Sequence, residues 1–331
     1  MPTGGPVKDK RIFIKPAITH ITKRFLMQWK YLFTAATAAL CLWGADSRAQ
    51  RASDPFFLNY THFPGADFKE RAGRSAVHYL EAGLLTPPIQ AGKRTRIVNG
   101  FYYRLAAYDF NGQHATSSGL PERLHNIRYN VIITHPLSRQ WGLLAVPRLD
   151  LRSDLQDGPG GNDLFPGVTA LAIRTSARCP QLRWGIGAMY NSDFRRHLVI
   201  PAAALFYQTE KMRINIVTPN AQVVFTPSKK LEYGFALNVD AGIYHTGMDT
   251  VSHGPVQYIR AFNALLSPVL RYNICRNLWL NGKAGYALLR RYDLLDADFE
   301  DEQAWRRNDL RNGLFITIGI SMRLPAAAAK N

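Results

Sequence analysis

From residue 51 to residue 324, apolar and polar side chains alternate with a period of two. That is the pattern of β-strands that turn one apolar face to one side. The clearest case is 314–324, where Leu314, Ile316, Ile318, Ile320, Met322 and Leu324 share a face opposite Phe315, Thr317, Gly319, Ser321 and Arg323. The stretch 231–244 repeats it, with Leu231, Tyr233, Phe235, Leu237, Val239, Ala241 and Ile243 opposite Glu232, Gly234, Ala236, Asn238, Asp240 and Gly242. Segments 126–134, 143–152, 262–273 and 278–288 follow the same rule. A soluble sandwich also alternates, but its strands usually run about 5–6 residues. Here clean alternation lasts roughly ten to fourteen residues, closer to the 9–11 of a tilted strand that crosses a bilayer.

The connections alternate too. Short turns fall at 136–139, 178–182, 209–211, 227–230 and 275–277, and longer polar loops at 111–122, 153–165, 246–256 and 293–308. Membrane barrels have this asymmetry, with short turns at one end and long loops at the other. Two short turns flank 213–226, so that segment must go out and return, and Pro219-Asn220 supplies a turn because Pro interrupts strand pairing. Strands are then expected to start near Phe56, Ser75, Thr95, Leu124, Gly142, Val168, Arg183, Leu198, Arg213, Ala221, Leu231, Tyr258, Leu278 and Leu314. The expected fold is an all-β, transmembrane, antiparallel up-and-down barrel of fourteen strands, with twelve as the alternative count. Trp141, Trp184, Tyr272, Trp279 and Tyr286 lie near strand ends, as an interfacial girdle requires. A soluble β domain remains the alternative.

Residues 1–50 read differently. The uncharged run 31–43 follows Lys23, Arg24 and Lys30, and a small-residue cleavage pattern at Ser47 and Ala49 comes after it. These are the three parts of a secretory signal, and the apolar run is short for a membrane span. Met27 is the expected true start. The domain reading is a signal peptide with leader over 1–50, a barrel over 51–324 and a tail over 325–331.

Composition agrees with dispersed apolar residues. Hydrophobic residues make up 47% of the chain, yet mean hydropathy is −0.17, which argues against a bundle of membrane helices. The net charge is +17, of which the first fifty residues hold eight Lys and Arg against Asp9 and Asp46. The remaining cations are scattered singly, without the basic cluster of a nucleic-acid binder, so no nucleic-acid partner is expected. Outer-membrane lipid is. Cys179 and Cys275 are expected as free thiols, with a disulfide between them as the alternative, and no metal-ligand spacing or cofactor motif occurs.

The chemistry lies on the polar face. Arg128, Arg148, Arg152, Arg174, Arg271, Lys283 and Arg323 all sit opposite apolar positions and should project into a lumen, together with Asp150, Glu232 and Asp240. Buried charge without partners is costly. Either the lumen is wet and favours anions, or these groups pair across strands and fill the barrel. An adhesin-like barrel acting through its loops is a third expectation. A lipid hydrolase would need Ser and His within reach of each other. His114 with Ser117 and Ser118 has the wrong spacing, and His245 and His253 near Asp249 flank a loop, so no enzyme is expected.

Two motifs carry a family resemblance. Gly319-Ile-Ser-Met-Arg-Leu324 resembles the C-terminal assembly signal of outer-membrane barrels, with Gly319, Met322 and Leu324 in the key places; Leu replaces the usual final aromatic, and the tail follows it. Ile200-Pro-Ala-Ala-Ala-Leu-Phe-Tyr207 followed by Met212-Arg-Ile-Asn-Ile-Val-Thr-Pro219 resembles an uncharacterised outer-membrane β-barrel family of Bacteroidetes, a Pro-led strand followed by one ending in Pro. The resemblance implies an outer-membrane location, the barrel fold and the barrel-assembly machinery as a partner in biogenesis. It implies no activity.

Overall fold

The computed structural model describes residues 54–69, 72–111, 121–156, 158–192, 198–248, 256–296 and 308–323. The leader, Leu324 and the tail lie outside them. Fourteen strands run up and down: β1 (Phe56–Asp67), β2 (Arg74–Leu85), β3 (Thr95–Asn111), β4 (Arg123–Pro136), β5 (Trp141–Ser153), β6 (Leu164–Thr175) and β7 (Leu182–Asn191). They continue as β8 (Leu198–Gln208), β9 (Met212–Val217), β10 (Asn220–Ser228), β11 (Leu231–Met248), β12 (Val256–Cys275), β13 (Leu278–Leu295) and β14 (Gly313–Met322). Each strand pairs antiparallel with the next, and β14 closes on β1 from Phe56↔Met322 to His62↔Ile316. A closed ring has no free edge to aggregate. Two short strands lie outside the fourteen: Ile89–Ala91 folds onto β3, and Asp309–Leu310 onto β13.

The strand positions follow the alternation in the chain. The turn expected at Pro219-Asn220 is where the sheet reverses, with Val217 paired to Asn220. The long strands exceed the expectation, since β11, β12 and β13 run 18, 20 and 18 residues and continue past the length a bilayer needs.

The register puts one apolar set outside. Phe101, Tyr129, Leu149 and Ile186 face outward, as do Phe235, Leu270, Leu280 and Ile318, each exposed. Ile318 is 56% exposed and Leu314 69%. A water-soluble monomer rarely shows a contiguous apolar surface on this scale.

The inward face is mixed. At the loop end, Phe63, Tyr79, Tyr108, Tyr244, Tyr292 and Phe315 pack into a buried core that fills the interior. Phe63 stacks on Phe315 at 5.4 Å between ring centroids, and Tyr108 meets Tyr292 edge-on at 4.7 Å. The Arg290 guanidinium is capped by the Phe63 ring at 5.1 Å, a contact whose value rises on desolvation.

Glycines mark where strands crowd the interior. A Cβ on Gly319 would stand 2.0 Å from Asn59 Oδ1 and 2.5 Å from the Leu58 carbonyl oxygen. Gly319→Val must therefore push β14 away from β1 at the closing seam. The expected outcome is loss of the heat-modifiable barrel band on a denaturing gel, with wild-type migration as the contrary result.

Candidate functional site

The inward charges assemble into three groups. At the turn end, Arg323 donates to both oxygens of Glu232 at 2.7 and 2.8 Å and to Asp54 at 2.9 Å. This bidentate geometry is the strongest form of the pair. Trp279 lies beneath Arg323, 4.0 Å from the guanidinium carbon to the ring centroid. Arg213 reaches Glu232 at 3.4 Å, and Arg271 lies 3.9 Å from both Asp54 and Glu232.

The second group spans the barrel. Arg104 on β3 donates to Glu81 on β2 at 2.7 Å and to Asp240 on β11. Tyr102 donates its hydroxyl hydrogen to the same Glu81. The third is centred on Asp150, which is fully buried and takes Arg128, Arg152 at 2.8 Å and Arg148 at 3.4 Å. One carboxylate thus anchors three cations from β4 and β5.

Between these groups, near the turn end, is a cavity of about 390 Å³. Arg128, Arg213, Arg271 and Lys283 line it, against Asp54 as its carboxylate. Asn59, Asn130, Gln222 and Asn281 add amide groups to the wall. Among the described residues no carboxylate forms an ion pair with Lys283. Its ammonium is left to water or to a solute.

Of the expected lumen residues, Arg128, Arg148, Asp150, Arg152, Glu232, Asp240, Arg271, Lys283 and Arg323 lie on the inward face. Arg152 and Asp150 are sealed from solvent, at 1% and 0% exposure, so they are structural anchors. Arg174 is a correction. It pairs with Trp141 on the outward face, and its guanidinium lies 5.6 Å over that ring. Alternation misled there because both faces of β6 carry apolar residues: Leu171 and Ile173 face inward, while Arg174 shares the outer face with Val168, Ala170 and Ala172. Trp279 is the converse, an expected girdle residue that turns inward beneath Arg323. Trp141 and Trp184 do meet outside at the turn end, 5.9 Å apart.

Gly319 and Met322 sit on the closing strand, and Leu324 lies outside the described residues. His245 binds Asp163 through Nδ1 at 2.9 Å and packs on Tyr258. His114, Ser117, Ser118, Asp249 and His253 lie outside the described residues. Cys179 and Cys275 are free. Sequence reasoning passed over Arg104 and Glu81, whose strands alternate poorly because Tyr79, Tyr102 and Val98 put apolar groups inward as well. It also passed over Arg213 and Asp54, which gain meaning only from the closure of the ring.

The model of a domain of unknown function, DUF6268, matches residues 92–323, most of the barrel. The chain belongs to the DUF6268 family. No curated protein matches it in sequence. Among solved structures, the COG4313 outer membrane channel from Pseudomonas putida F1 is 11% identical, with a TM-score of 0.45 over 85% of this chain and 100% of that one. The NanC porin is 10% identical, with a TM-score of 0.37 over 81% and 100%. The Pseudomonas putida toluene transporter TodX is 10% identical, with a TM-score of 0.32 over 82% and 90%.

Proposed function

We propose that this DUF6268 protein is a bacterial outer-membrane barrel that binds and conducts small anions through a narrow, positively biased interior. The closed ring, the apolar outer belt and the start of β1 and end of β14 on the short-turn side support the membrane reading, with that side periplasmic. Lipid covers the belt, and the barrel-assembly machinery reads the closing strand during biogenesis.

The observation that carries the anion reading is the turn-end cavity, where Asp54 is the carboxylate in a wall that also holds Arg128, Arg213, Arg271 and Lys283, and where, among the described residues, no carboxylate pairs with Lys283. Clefts lined by one sign of charge raise the local concentration of the opposite ion. The buried aromatic core at the loop end makes a wide open pore the wrong picture and favours small conductance. That same core favours a second reading, a filled barrel that acts through its outer loops. We read no catalytic role.

Single-channel recording in planar bilayers under a KCl gradient separates the two. The expected result is a small conductance whose reversal potential lies toward chloride. Replacing Arg271 and Lys283 together by Gln should lower the chloride-to-potassium permeability ratio several-fold. A silent membrane, or selectivity unmoved by the double replacement, would reject the anion path.

A further inference from the structure

Three glycines seat side chains of the turn-end cavity against its wall. Phe57 lies across Gly83, where a Cβ would stand 2.2 Å from its ring, and Asn130 lies across Gly100, where a Cβ would stand 2.6 Å from its Oδ1. Asn59 lies across Gly319 in the same way, at 2.0 Å. Each pair is directly opposite in register: Phe57↔Gly83, Gly100↔Asn130 and Asn59↔Gly319. All three side chains line the cavity. A side chain at any of these glycines would lift its neighbour away from the wall, so the room in the cavity is written into the sequence.

Beside them the wall carries polar atoms that make no hydrogen bond. Arg271 on β12 and Asn281 on β13 stand directly opposite each other, and Lys283 follows two residues later on the same face. Asn281 is 8% exposed, and its Oδ1 accepts no hydrogen bond. The Arg271 Nε–H donates none. Arg271 approaches Asp54 and Glu232 only through Nη1, at 3.9 Å to each. Polar groups buried without partners are costly, and a native fold that keeps them does so for a reason.

The pattern selects a ligand. Chloride would answer the donors of Arg271 and Lys283 but not the Asn281 oxygen, which needs a hydrogen from its partner. A neutral sugar would answer the oxygen and leave the cations. An oxyanion that carries hydroxyl groups answers both, and a solute that reproduces the hydrogen bonds of water displaces it without loss. Size agrees. The cavity of about 390 Å³ lies at the low end of small-molecule sites, about 300–1,000 Å³. It equals roughly a dozen waters at about 30 Å³ each, far more than one chloride fills. Phe57 and Tyr102, with ring centroids 6.3 Å apart, give the cavity an aromatic side. The negative faces of such rings attract the C–H bonds of a sugar ring.

We propose that the turn-end cavity binds a polyhydroxylated carboxylate of monosaccharide size, a sugar acid. Its carboxylate lies on Arg271 and Lys283, and one of its hydroxyls donates to Asn281. The proposal rests on the anion reading of the same cavity and adds the class of solute.

The test is equilibrium dialysis of radiolabelled D-glucuronate against the full chain in detergent micelles, which reads binding whether or not ions are conducted. The expected result is saturable binding. Unlabelled glucuronate should displace the label at a concentration about tenfold below that needed for glucose, which lacks the charge, or for hexanoate, which lacks the hydroxyls. Asn281→Leu should weaken glucuronate about fivefold and hexanoate far less, because hexanoate has no hydroxyl to offer. Binding that does not saturate, or displacement by glucose or hexanoate as effective as by glucuronate, would overturn the proposal. So would inorganic phosphate displacing the label at a lower concentration than glucuronate does, because the cavity would then be a phosphate site. The wild-type competition series decides the matter even if Asn281→Leu fails to fold. Chloride-selective conductance without saturable glucuronate binding would reject the sugar acid and keep the anion path. Saturable binding with a silent bilayer would reject conduction and keep the site.

Discussion

Asp150→Asn is expected to lower the stability of the barrel by about 3–5 kcal/mol, because breaking a buried ion cluster by removing its shared, fully desolvated carboxylate is strongly destabilising. Asp150 is fully buried and receives Arg128, Arg148 and Arg152 from two neighbouring strands. Neutralising it removes the carboxylate that all three guanidinium groups share. Equilibrium unfolding in urea, followed by tryptophan fluorescence in lipid vesicles, measures the loss. Arg174→Gln is the matched control, since Arg174 lies on the outward face over Trp141 and its loss should cost no more than about 1 kcal/mol. An Asp150→Asn protein that unfolds at the wild-type urea concentration would show that the three cations are solvated rather than anchored.

Ile318→Arg is expected to cost about 2–4 kcal/mol, the penalty for a cation on the lipid face near the bilayer midplane. Ile318 is 56% exposed, and at an exposed position of a soluble protein the same change would cost within about 0.5 kcal/mol. The two environments therefore predict results that differ several-fold in free energy at one residue. Refolding yield into vesicles, read by gel migration with and without heating, distinguishes them. Full refolding of Ile318→Arg at wild-type efficiency would mean that water bathes this face.

The architecture was legible because lipid on one side and a mixed interior on the other enforce a period of two over long stretches. Leu314 to Met322 and Leu231 to Ile243 show it without interruption, and the demand that turns and loops alternate supplied the hairpin at Pro219. The interior was legible only in part. A polar residue opposite an apolar one reads as inward wherever the outer face is greasy, which holds for Arg128, Arg271 and Lys283. It fails on β6, where Leu171 and Ile173 belong to an apolar inner cluster and Arg174 stands outside over Trp141. The pairing of Arg323 with Glu232 and Asp54, and of Arg104 with Asp240, joins strands far apart in the chain. Such contacts follow from closure and register, which local patterning does not encode.

The central claim is that the exposed apolar belt, which includes Leu314, Ile316 and Ile318 on β14, meets lipid. Single spin labels placed in turn from position 315 to position 320, in protein reconstituted into vesicles with Cys179 and Cys275 replaced by Ser, test it most directly. The account predicts that oxygen accessibility alternates, high at 316, 318 and 320 and low at 315, 317 and 319, while a water-soluble nickel reagent stays excluded from the first set. Nickel reaching 316 and 318, or accessibility without a period of two, would contradict it.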